Sequence, residues 1–407
     1  MYAICLHFYL FYATIDFNNK GNWRRTMDKL EKAKKIIEQL ENGGHPNLYH
    51  DITREDFMKR FNSIDWNSLD EMHFDYEMTK MFALLKENHT RYYLNTPFIC
   101  IDSINSRFYR INDKFYFYKA NESKCYEVLA INNMDIEKIS DLIKPIICSE
   151  SEYLTNKSVS DWLGMAYTYR LLGITKEDNI NLKVKRDNKI FEMKINFLTD
   201  EETKQQLFES KKNVIPKGYI GEERYNYKIT DDGILILNYN RCRGHEEFKE
   251  LVNKIIEEYN NGKFTSYIVD MTKNTGGSCS VIYPFVDFVA KNNIKGVTLT
   301  HIDTFSSGML SAGNMRKNAK SILIGETSSQ KSRVYGDFKE YIVEDRKIVE
   351  SQKYVDVSDL TDGNDYLIPD INVPMTVEEI ENGVNAKLEF ALDYVRQHMP
   401  NASFQRG

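Results

Sequence analysis

From residue 232 onward, short apolar runs alternate with amphipathic stretches. Gly233-Ile-Leu-Ile-Leu237, Ser266-Tyr-Ile-Val-Asp270, Val297-Thr-Leu-Thr300 and Ser321-Ile-Leu-Ile324 have the length and apolar content of buried strands. Between the first two, Phe248, Leu251, Val252, Ile255, Ile256 and Tyr259 recur on one helical face. Residues 281–290 and 306–319 read as two further helices. Strand–helix alternation with short loops predicts a largely parallel sheet, and sites in such sheets lie at the carboxyl ends of the strands. Three loops fall at such ends: Asp270-Met-Thr-Lys-Asn-Thr-Gly-Gly277, Thr304-Phe-Ser-Ser-Gly308 and Gly325-Glu-Thr-Ser-Ser-Gln-Lys331.

Upstream the period changes. Phe74, Met78, Met81, Phe82 and Leu85 share one helical face, and Gly43-Gly44-His45-Pro46 separates two helical segments. The helix runs into Glu87-Asn88-His89-Thr90, which puts His89 at or just past a helix C-terminus. There the helix dipole favours the protonated imidazole somewhat. Farther on, Phe108 to Tyr118 reads as a hairpin turning at Asn112-Asp113, and Asn181 to Ile195 as another turning at an Asp-Asn pair. Residues 127–133 read as strand and turn, 136–147 as helix, 150–173 as helical insertions, and the polar stretch 200–228 as a linker or exposed region. The chain thus divides into an apolar N-terminal segment (1–22), a helical domain (23–95), a β-rich module (96–228) and an α/β domain (229–400).

Composition narrows the function. The chain has 407 residues and a net charge of −6, with no electrostatic footprint for nucleic acid. Six cysteines are scattered without a CxxC pair, and no HExxH spacing occurs, so neither a metal nor a cofactor is expected. Residues 1–15 are apolar except for His7 and Thr14. They are short for a bilayer span and lack the basic region and cleavage site of a signal peptide. A truncated export signal, a misassigned start, a packed strand and membrane association through this N-terminus all remain open.

The three loops carry the parts of an acyl-transfer site. Ser306 opens a helix beside the N–H of Ser307, and Gly276 and Gly277 allow a tight turn whose backbone N–H groups face one point. Gly276, Gly277 and Ser307 are therefore the candidate oxyanion hole. Lys331 follows Ser306 by 25 positions and is one candidate base. His89 is the other, since it accepts protons near neutral pH with little tuning. The competing reading is that Ser306 or Ser307 caps the helix, because Thr-x-Ser-Ser is a common N-cap pattern. Cys279 is a weaker nucleophile candidate, and no Gly-x-Ser-x-Gly elbow occurs.

These motifs, in this order, resemble the tail-specific (C-terminal processing) serine peptidases. The Asp270–Gly277 loop looks like that family's Asp-Leu-Arg-x-Asn-x-Gly-Gly loop, with Thr272 where Arg is usual. Thr304-Phe-Ser306-Ser-Gly matches the nucleophile motif, and Ile322-Leu-Ile-Gly-Glu326 resembles the strand that follows. Lys331 falls on the lysine of the Ser/Lys members. Ile368-Pro-Asp-Ile-Asn-Val373 resembles the closing motif. Leu84-Leu-Lys-Glu-Asn-His89-Thr90 looks like the histidine segment of the Ser/His, tricorn-like branch, with Glu87 where an Asp is usual. The resemblance covers roughly residues 25–95 and 230–395. It implies a ClpP/crotonase-like α/β core, an N-terminal helical region and a small, degenerate PDZ-like module around Val128-Leu-Ala-Ile-Asn132. It implies hydrolysis of unfolded or C-terminal protein segments through a Ser306 acyl-enzyme, and an extracytoplasmic setting. With His89 as base, an acidic group orients the imidazole, and Asp365 is preferred over Asp362 on resemblance. The alternative is an inactive relative that binds peptide or lipid.

Overall fold

The computed structural model describes residues 28–94, 99–213 and 224–399. The apolar segment 1–22 therefore lies outside the described residues. Helices α1 (Lys29–Asn42), α2 (Arg54–Asn62) and α3 (Glu71–Ala83) come first, followed by strand β1 (Arg91–Tyr92). Asp28, Thr53 and Asp70 cap the three helices, each accepting from the N–H three residues on. Next come β2 (Arg107–Ile111), β3 (Lys114–Lys119), β4 (Lys124–Ile131), β5 (Met134–Asp135), α4 (Ile136–Ile143), α5 (Glu152–Leu163), α6 (Ala166–Leu171), β6 (Asn179–Arg186), β7 (Lys189–Asn196) and α7 (Asp200–Asn213). Then follow β8 (Tyr225–Ile229), β9 (Ile234–Tyr239), α8 (His245–Asn260), β10 (Ser266–Asp270), α9 (Tyr283–Lys291), β11 (Lys295–Thr300), α10 (Ser307–Ala319) and β12 (Ile322–Gly325). The hairpin β13 (Arg333–Val343) and β14 (Arg346–Asp356) precedes β15 (Ile371–Asn372), α11 (Val377–Asn382) and α12 (Ala386–His398).

The chain forms two compact units. Of the described residues, one unit comprises those up to 212 together with 334–355, and the other comprises those from 213 to 333 and from 356 to 399. In the first unit α1–α3 bury Phe57, Phe61, Trp66, Phe74, Met78 and Phe82 against one another, with Ile348 of β14 in the same cluster. There the strands run in the order β1-β14-β13. The same unit holds an antiparallel sheet, β2-β3-β4-β6-β7, whose inner face packs on α4 and α5. Its hairpins turn at Asn112-Asp113 and Asp187-Asn188, all with positive φ, the geometry of tight two-residue turns.

Two segments depart from expectation. Residues 200–213 are helical, although the stretch reads as linker. Leu207 is buried with Cys100 and Ile104, and so few apolar positions leave no periodic signal. The β13–β14 hairpin gives no clear strand pattern because β14 buries charged residues: Arg346, Lys347 and Glu350. The Arg346 guanidinium is 1% exposed and donates to Asp75 Oδ1 on α3 at 2.9 Å, so the charge is hidden by pairing.

The second unit is built on the sheet β15-β12-β11-β10-β9-β8, parallel throughout except for β8. Alternate residues face two cores. Leu235, Leu237, Tyr267, Val269 and Leu323 pack under α8, α9 and α10, whereas Ile234, Ile236, Ile268, Val297, Leu299 and Ile324 pack under α12. Residues buried on both faces explain why these strands read as continuous apolar runs.

Candidate functional site

The carboxyl ends of β10, β11 and β12 carry the three loops. Asp270 closes β10, and its Oδ1 accepts from the N–H (2.9 Å) and hydroxyl (2.6 Å) of Thr272. Two residues on, Asn274 is fully buried and acts as a clamp. Its Nδ2 donates to the Tyr239 carbonyl at 2.7 Å, its Oδ1 accepts from Gly276 N–H at 2.9 Å, and its carbonyl accepts from Phe305 N–H at 2.9 Å. One side chain and one carbonyl thus tie the end of β9, the diglycine turn and the serine loop together.

Ser306 stands at the mouth of α10 with φ 53° and ψ −131°, a sparsely populated region for a residue with a side chain. Holding it there costs roughly 1–3 kcal/mol, which the surrounding hydrogen bonds must offset. The Ser306 hydroxyl makes no capping bond to the helix. Ser307 donates its hydroxyl to the Gly277 carbonyl at 2.7 Å. The helix-cap reading of either serine therefore finds no hydrogen bond in this geometry. A side chain at Gly276 would place its Cβ 2.8 Å from Ser306 Cβ and 2.9 Å from Ser307 N, so only glycine allows this approach. The N–H of Gly276 is already directed at Asn274 Oδ1. Among the described residues the N–H groups of Gly277 and Ser307 have no partner, and these two are the donors open to an incoming oxygen.

Gln330 has no motif to announce it. It is 2% exposed, and its Oε1 accepts the Ser306 N–H at 2.8 Å. It immediately precedes Lys331, which is half-buried and bridges Tyr366 in an antiparallel pair. The Asp365 carboxylate is two-thirds exposed and lies 3.6 Å from Arg333, while its carbonyl accepts from Ser332 N–H. Asp362 pairs with Arg316 at 3.2 Å. A separate polar chain runs along the strand ends: His301 Nε2 is 3.2 Å from Glu326 Oε2. Lys387, only 2% exposed, lies 3.1 Å from the same oxygen and 3.8 Å from Glu379.

His89 belongs to the first unit, six residues beyond the end of α3, between that helix and β1. It is buried, hydrogen-bonds the backbone of Tyr335 and lies against the ring of Phe338, centroids 6.4 Å apart. Burial, aided by the Arg91 charge, pushes its pKa down to about 4, against the opposing pull of Glu87 and Asp337. A helix dipole alone favours the protonated form. The histidine is instead clear of the helix end and desolvated, so the neutral form wins. Beside it, Glu87 accepts from His45 Nε2 at 2.7 Å, from Thr90 at 2.9 Å and from Ser351. Burial raises the Glu87 carboxyl, but these bonds outweigh it and the net shift is downward. Asn47 N–H donates to His45 Nδ1 at 3.0 Å, which leaves Nε2 as the ring nitrogen that donates to Glu87.

The fold is similar to that of solved CPAF structures. Mature CPAF complexed with lactacystin matches with a TM-score of 0.58 at 11% identity, over 91% of this chain and 98% of that one. A serine-to-alanine mutant of CPAF matches with a TM-score of 0.62 at 11% identity, over 91% and 96% of the two chains. No family model and no curated protein matches the sequence. At such identity the likeness is one of fold.

Proposed function

We propose that this chain is a serine peptidase acting on unfolded or C-terminal protein segments. The Ser306 Oγ attacks the scissile carbonyl carbon and its proton passes to His89. The tetrahedral oxyanion takes hydrogen bonds from the N–H groups of Gly277 and Ser307. His89 then returns the proton to the leaving amine, and water, deprotonated by the same imidazole, hydrolyses the acyl-enzyme. The carbonyl of Tyr335 orients the imidazole, a task that resemblance gave to Asp365. Lys331 is the competing base. In this reading the parallel core is ClpP/crotonase-like, and the antiparallel sheet of the first unit is a degenerate PDZ-like module.

The observation that carries the proposal is the strained, uncapped Ser306 wedged against Gly276 with two open N–H donors beside it. A capping serine has no need of a positive φ. The test is hydrolysis of an unfolded protein, together with labelling by a serine-reactive phosphonate. Ser306→Ala and His89→Ala abolish turnover, and label maps to Ser306. Loss of activity in Lys331→Ala with an active His89→Ala transfers the base to the lysine. No turnover and no label in the unaltered chain refutes the peptidase reading.

A further inference from the structure

The end of β9 leads into Arg241-Cys242-Arg243, which lies alongside the diglycine turn. Cys242 N–H donates to the Gly276 carbonyl at 3.2 Å, and Ser278 N–H donates to the Cys242 carbonyl at 2.7 Å, a parallel bridge with Cys242 opposite Gly277. The Cys242 side chain is fully buried, its Sγ 3.3 Å from Asn274 Oδ1. Arg241 and Arg243 flank Cys242 in the chain, and partial burial, together with the Arg243 charge, bears on the Arg241 guanidinium. Arg241 is half-buried, and its guanidinium donates to the hydroxyl of Thr275, the residue before the diglycine. Arg243 is exposed, and its Cγ lies 3.1 Å from where a Cβ on Gly277 would stand.

Neither guanidinium forms an ion pair among the described residues. Asp303 attracts Arg241 without forming an ion pair with it, and Glu247 is engaged by Arg224 at 3.2 Å. Two like charges side by side cost energy in the resting chain, and an anion held between them removes that cost. The arrangement sits on the same turn that packs against Ser306.

We propose that Arg241 and Arg243 form a carboxylate-binding subsite that selects peptide segments carrying a carboxylate close to the scissile bond. The proposal rests on the reading of Ser306 as nucleophile. Guanidinium groups engage carboxylates through paired N–H donors, which a neutral amide cannot match. The carboxylate is either an Asp or Glu side chain or the free end of the substrate chain.

The experiment uses the full chain with Ser306→Ala and measures anisotropy of three labelled peptides. One has an internal Asp and an amidated end, one has Asn and a free carboxylate, and one has Asn and an amidated end. Either carboxylate peptide is expected to bind about tenfold or more tightly than the neutral one, since a charge-assisted hydrogen bond is stronger than a neutral one. Which of the two gains identifies the source. The preference collapses in Arg241→Gln and Arg243→Gln, and the lysine variants restore it only partly. Arg243 is on the surface, so its variant keeps the test decisive if Arg241→Gln fails to fold. Equal binding of all three peptides, or a preference that survives both substitutions, overturns the subsite. A carboxylate preference without hydrolysis by the unaltered chain supports the subsite and refutes the peptidase reading. Hydrolysis without preference does the reverse.

Discussion

Asn274→Ala strikes the clamp under the site. The side chain satisfies two buried backbone groups, the Tyr239 carbonyl at 2.7 Å and the Gly276 N–H at 2.9 Å. Each left unpaired costs about 1–3 kcal/mol, so the variant loses about 2–6 kcal/mol from a total that is typically about 5–15. Intrinsic tryptophan fluorescence would miss the change, because Trp23, Trp66 and Trp162 all precede residue 213, where the second unit begins. Amide hydrogen exchange over 234–239 and 266–280 reads it directly. A loss of 2 kcal/mol accelerates exchange from the globally protected strands about 30-fold. Labelling of Ser306 is expected to fall in step, since Gly276 is no longer held. Exchange within threefold of the unaltered chain, with full labelling, would show that the three loops are organised by something other than Asn274.

Gly276→Ala brings a Cβ to 2.8 Å from Ser306 Cβ at a φ of +103°. It should abolish phosphonate labelling and cost about 1–3 kcal/mol or more of stability, and normal labelling kinetics contradict the packing. His89 has its pKa lowered from the ordinary 6.5 to about 4 by burial, then by Arg91. The acid limb of kcat/KM should accordingly fall near pH 4, and a limb at 6.5 means a solvated imidazole. The sign for stability agrees with this. The unfolded chain binds a proton at 6.5 and the native chain does not until about 4. The contribution is therefore complete above 6.5 and is lost as pH falls toward 4. Lys387→Met leaves Glu326 and Glu379 without their buried cation and should destabilise the second unit by about 3–5 kcal/mol. A loss under about 1 kcal/mol by circular dichroism in urea argues against an ion chain shielded from water.

The second unit was legible because its strands are buried on both faces and its helices keep a clean period, which fixed where Ser306 and the diglycine fall. What hydrogen-bonds to what was not legible. Gly276 and Gly277 look equivalent as letters, yet Asn274 occupies one N–H and leaves the other open. Gln330 is a polar residue in a polar loop, and only the return of the chain after β12 brings it to the Ser306 N–H. The hairpin 333–356 carries no strand signal because burial of Arg346 becomes tolerable only through Asp75, 271 residues away. The environment of His89 is hidden in the sequence for a related reason. Its neighbour Tyr335 is remote in sequence, and the helix stops at Ala83 rather than at the histidine.

The hairpin also imposes an order of events during synthesis. Asp75 emerges from the ribosome long before Arg346, and β1 before its partner residues Ile348 and Val349. At roughly 5–20 residues per second, the wait is about 15–50 s. Through that interval the nascent helical segment carries a carboxylate without its cation and a strand without its neighbour. The unit that begins first is thus completed only after most of the other has been made, and a chain cut anywhere between residues 213 and 333 leaves both units short of a part.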